Sequence, residues 1–183
     1  MNSSLLLWLV LALCVFWSVG VYNRLMRMRA RGLRALGSVE KHMRLYADLV
    51  RDDVAQGAAS HAQKTSPDRS PDDWVVLQST LQGFEAALKD VGVSALRYEP
   101  LDQLGHAFDT VQNAWLAVDS APPDLAGPVV PAAMRLQWDA TTQRVETARG
   151  GFNNIVTQYN EALAQFPARL VVGMMGFKPS GLL

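Results

Sequence analysis

The sequence predicts an all-α protein: an N-terminal transmembrane helix continuing into an antiparallel, up-down four-helix bundle whose first and last helices are long. Three observations predict it. No charged side chain occurs from Met1 to Asn23, and Leu5 to Val21 reads LLLWLVLALCVFWSVGV. Four later stretches place apolar residues at alternating steps of three and four, the spacing of one helix face. Proline- and glycine-bearing segments separate those stretches and stop helices there.

The first element is the anchor, residues 1–21. A helix rises about 1.5 Å per residue, so roughly 20 apolar residues cross the hydrocarbon core of a bilayer. A cleaved signal peptide is the rival, because Ser18 and Gly20 form a small-x-small site. Such signals begin with a basic segment, and here the first charged side chain is Arg24. A retained anchor is therefore expected. Arg24, Arg27, Arg29, Arg31 and Arg34 follow with no acid among them. By the positive-inside rule they put the N-terminus outside and the rest in the cytoplasm, and they are candidate lipid head-group contacts.

The bundle is expected over residues 22–167. Leu36, Val39, Met43, Tyr46 and Val50 continue the anchor helix, which no proline interrupts before Pro67; it is expected to reach about Gly57, with Gly32 and Gly37 as places for a bend. A polar segment from Ala58 to Asp73 ends in an aspartate pair suited to N-capping. Trp74, Leu77, Leu81, Phe84, Leu88 and Val91 mark the second helix. Glu99-Pro100 then opens a third, carrying Leu101, Leu104, Phe108, Val111, Trp115 and Val118. The four prolines between Ser120 and Pro131 exclude helix there. The last helix has a heptad seam at Met134, Trp138, Thr141, Val145, Ala148, Phe152, Ile155, Tyr159, Ala162 and Phe166, the mark of a helix lying along others.

Up-down connectivity returns this helix to the membrane end, so Phe166 should arrive near Tyr22. Residues 168–183 form an apolar tail, expected on the inner leaflet, beside the anchor, or as a cap on the bundle end.

Composition excludes several functions. Lysine plus arginine equals aspartate plus glutamate, 17 each, and the basic cluster is confined to the membrane end, which argues against nucleic-acid binding. Cys14 is the single cysteine, so a disulfide within the chain and a cysteine metal site are ruled out. His42, His61 and His106 lack the Glu-x-x-His spacing of bundle metal sites. No nucleophile elbow or phosphate loop occurs. No catalytic, metal or cofactor residue is expected, and the protein is expected not to be an enzyme.

Two features of the last helix remain. Gly150-Gly151 costs about 1 kcal/mol per glycine against alanine inside a helix. A close helix approach or a bend is expected to compensate. Asn153 and Asn160 share a heptad position beside the core, where a buried amide fixes helix register; a partner or polar ligand at the membrane end is the alternative. Arg97 and Tyr98 read as a solvated connector.

The series Tyr22-Asn23, Ala148-Arg149-x-x-Phe152-Asn153-x-x-Val156-x-x-Tyr159-Asn160, Phe166-Pro167 and Gly176-Phe177 resembles the LemA family of bacterial membrane proteins. It looks like a divergent member, with Phe152 where tyrosine is usual. The resemblance implies a bundle anchored in the bacterial inner membrane, facing the cytoplasm, with no established enzymatic activity. Candidate interaction or register positions are therefore Tyr22, Asn23, Phe152, Asn153, Tyr159, Asn160, Phe166 and Phe177. The reading is an interaction scaffold whose partners are the bilayer and either membrane proteins or further copies of the chain. The alternative is a sensor binding a small apolar ligand or lipid between Trp74, Phe108, Trp115 and Trp138.

Overall fold

The structure, a computed structural model, describes residues 2–62, 73–93, 96–121, 130–165 and 168–183. Five helices follow in order: α1 (Asn2–Ala62), α2 (Asp73–Val93), α3 (Tyr98–Asp119), α4 (Ala132–Ala164) and α5 (Ala168–Met175). No strand occurs among the described residues.

Side-chain pairs give the direction of each helix. Arg51 of α1 bonds Glu85 of α2, whereas the earlier Arg44 lies beside the later Gly92. The two therefore run antiparallel. Between α3 and α4, Asp119 pairs with Arg135 and Asp109 with Arg149, so the order again reverses. Tyr46 of α1 meets Trp138 of α4 while Leu25 clusters with Tyr159, which closes the up-down circuit.

The expected core residues of α1, α2 and α3 are all buried. They meet in an aromatic centre. Tyr46 packs edge-on against Phe84, Phe108 and Trp138, and Trp115 stacks on Trp138 at 3.8 Å between centroids and 5° between planes. Stacked and edge-to-face rings add stability beyond their buried area. Trp74, Phe108, Trp115 and Trp138, between which the sequence offered a place for a small apolar ligand, are thus all buried in one core cluster, Phe108 and Trp138 packed on Tyr46 and Trp115 on Trp138. Burial removes water from the Tyr46 hydroxyl and pushes its pKa up.

Several expectations change. Helix α1 runs to Ala62 as one unbroken helix through Gly32 and Gly37. In α4 the expected Trp138, Val145, Phe152, Tyr159 and Ala162 are buried, while Ile155 is only half-buried and Val156 and Leu163 join the buried face. The glycine pair is also corrected. A Cβ on Gly150 or Gly151 would meet nothing within 4 Å, so no neighbouring helix requires them, and α4 passes through both. Gly150→Ala and Gly151→Ala are therefore each expected to stabilise the fold by about 1 kcal/mol, measured by denaturant unfolding of the full chain in detergent.

One charge sits badly in this core. Asp53 is buried, and its Oδ2 has no hydrogen-bond partner among the described residues. Loss of water, with a contribution from the Asp52 charge, raises its pKa to about 6. Because the folded pKa lies above the unfolded one, ionisation favours unfolding; the penalty is absent below pH ~4 and complete above pH ~6. Asp53→Asn should stabilise the protein at pH 7.5 by on the order of 1–3 kcal/mol. Melting curves of both proteins should converge as pH falls to about 4.

Candidate functional site

The site is built where α1 leaves its apolar run, α3 begins and α4 ends. Helix α5 folds back onto this end. Val172 of α5 and Phe177 beyond it pack with Val21, Leu25, Met28, Tyr159, Ala162 and Leu163, and the Phe177 ring meets Tyr22 at 5.8 Å. Gly176 ends α5 with φ +68°, the left-handed conformation that glycine supplies after a helix. That turn sends the last residues along α4.

Those residues are held by the two asparagines. Asn160 donates its Nδ2–H to the Ser180 carbonyl and accepts the Ser180 N–H at Oδ1, both at 2.9 Å. Asn153 repeats the pattern on Leu183, donating at 2.7 Å and accepting at 2.9 Å. The Tyr159 hydroxyl donates to the Lys178 carbonyl at 3.2 Å.

The repeat has a geometric reason. Seven helical residues advance about 10.5 Å; three residues of extended chain advance about 10 Å. The heptad spacing of Asn153 and Asn160 thus matches the three-residue spacing of Ser180 and Leu183, with the segment antiparallel to α4. An asparagine amide offers a donor and an acceptor side by side, the complement of one residue's N–H and C=O. The register role expected for these asparagines is corrected. They bind main chain, not another helix.

The opposite wall is α3. A Cβ on Gly181 would lie 2.8 Å from Tyr98 Cα and 3.0 Å from its carbonyl oxygen, and one on Gly105 would lie 3.3 Å from the Leu183 carbonyl carbon. Backbone therefore touches backbone on both sides, and Leu183 is buried in the main core.

The remaining candidates are spread unequally. Phe152 is fully buried, a core side chain. Tyr159 serves both as core and as donor, and loss of water raises its pKa, with nearby Arg29 acting to lower it. Asn23 is exposed and outside the contacts described above. Phe166 lies outside the described residues. The five arginines are exposed along α1, and of them Arg29 reaches the site. Arg97 and Tyr98, read in the sequence as a solvated connector, belong to its wall. Their only sequence signal was proximity to Pro100 at a helix start.

A family model for the LemA family matches residues 76–183, more than half of the chain. The chain belongs to the LemA family. No curated protein and no solved structure matches it. The matched LemA region holds both clamping asparagines, both residues they clamp and the glycines that admit the segment.

In this LemA protein, Asn160→Leu would strip the buried Ser180 N–H and C=O of their partners. Each such orphan costs about 1–3 kcal/mol, so destabilisation of that order is expected. Amide hydrogen exchange should accelerate at Ser180 and Leu183. Unchanged exchange would disprove the clamp. Gly181→Ala should give the same release, through contact with the Tyr98 backbone.

Proposed function

We propose that this LemA-family protein is a non-enzymatic, single-pass protein of the bacterial inner membrane, N-terminus outside, whose cytoplasmic bundle is an interaction scaffold. Its partners would be other membrane proteins or further copies of itself. One observation carries the reading. Residues 5–16 of α1 are exposed, apolar and continuous with the turns of the same helix that bury Leu36, Val39, Met43 and Tyr46. In water such a surface is unstable, whereas in a bilayer it is at home. Among the described residues α1 is the one helix long and apolar enough to cross a membrane.

Support for a scaffold over a catalyst comes from what the polar side chains do. Asn153, Asn160 and Tyr159 are engaged with the chain's own backbone, and the buried aromatic rings are engaged with one another. Catalysis needs titratable groups converging on a space for substrate. The five arginines beyond Tyr22 favour a cytoplasmic bundle.

Topology is tested with single cysteines in a Cys14→Ser background. Asn2→Cys should react with a membrane-impermeant maleimide on spheroplasts, and Tyr98→Cys only after lysis. The reverse pattern would invert the protein. For the scaffold, photo-crosslinkers at the exposed Leu116 and Leu136 should give discrete adducts with a membrane protein or a second copy. Lipid adducts alone would remove that role.

A further inference from the structure

The cleft beside the clamp has a volume of about 610 Å³ and is lined from four parts of the chain, Tyr159 of α4 among them. Arg29 comes from α1, Arg97 from the residue before α3, and Lys178 from the segment after α5. Among the described residues no carboxylate lines the cleft, and the three cationic groups have no ion-pair partner. Arg44, Arg51, Arg135 and Arg149 are paired with acids, whereas the exposed Arg24, Arg27, Arg31 and Arg34 of α1 share with the cleft cations the lack of an ion pair among the described residues; what sets Arg29, Arg97 and Lys178 apart is that they line one cavity. Three like charges brought to one cavity repel one another, and an anion is what relieves that repulsion.

The remaining lining specifies the anion further. Met26, Met175, Tyr22 and Phe177 make one side apolar and aromatic. Tyr22 immediately follows the apolar run, and Arg29 lies about 10.5 Å farther along the helix axis, within reach of the head-group layer for a long cationic side chain. Guanidinium groups bind phosphate oxygens in pairs, and an ammonium adds a point charge.

We propose that this cleft binds the phosphate of an anionic lipid, with the head group between Arg29, Arg97 and Lys178 and the acyl side toward Tyr22 and Phe177. The bound lipid ties together α1, α3 and the C-terminal segment. The lipid source rests on the membrane reading above; the phosphate site itself does not, since it can be measured in detergent. Membrane sedimentation reports the anchor separately.

The test is native mass spectrometry of the full chain from neutral detergent micelles supplied with phosphatidylglycerol or with phosphatidylcholine. The wild type should retain phosphatidylglycerol preferentially. A variant carrying Arg29→Gln, Arg97→Gln and Lys178→Gln should lose roughly tenfold or more of that retention, as expected for lost charge-assisted hydrogen bonds. A second variant with the same change in charge at exposed positions that do not line the cleft, Lys41→Gln, Lys89→Gln and Arg144→Gln, should retain it. Equal losses in both variants, or none in the first, overturn the proposal. Matching helical melting curves exclude misfolding, and if the first variant melts early, Arg97→Gln with Lys178→Gln alone must still lower retention. Displacement of the lipid by inorganic phosphate would keep the site and assign it a soluble phosphate instead.

Discussion

Everything in this protein hangs on one helix that carries two kinds of surface. The first turns of α1 are exposed and apolar all round, long enough to cross a membrane, and a few turns later the same helix offers a bundle a single apolar stripe. A helix closes its backbone hydrogen bonds internally, so it can pass from one to the other without a break. The junction between them is where the geometry becomes demanding. An apolar surface ends there, a basic cluster begins, and the open end of a bundle lies beside it.

The C-terminal chain resolves that junction. Helix α5 covers the flank of α1, Gly176 reverses direction, and the last residues enter the space between α3 and α4. A chain buried there carries peptide groups that must be bonded. Asn153 and Asn160 supply a donor and an acceptor to each of two residues. This arrangement also leaves Arg29, Arg97 and Lys178 around an open cleft at the same level. Clamp and cleft are thus two consequences of one return of the chain to the membrane end.

How far the sequence could be read depended on the range of each interaction. The stripes of α1, α2 and α3 were legible residue by residue, because helical periodicity is local and every apolar position in them is buried. The α4 seam was legible through Phe152, Tyr159 and Ala162 and missed Val156 and Leu163, which are buried where the neighbours change from the aromatic centre to α1 and the returning segment. Gly150-Gly151 suggested a close approach that the packing does not contain. The asparagine repeat was visible, but its partners were not. A side-chain amide at a heptad position fits another amide across a helix pair and a peptide group equally well, and spacing along one helix does not choose between them.

By itself, then, the sequence determined the four long helices, their apolar faces, the membrane-compatible first segment and the family to which the chain belongs; α5 it read only as an apolar tail. Each of these follows from residues within a few turns of one another. Tertiary structure alone decided that Asn153 and Asn160 bind Leu183 and Ser180, that Gly181 touches Tyr98, and that Arg97 faces the same cleft as Arg29. These contacts join residues 20 to 83 positions apart. They depend on where α5 turns the chain back, and no local periodicity encodes that position.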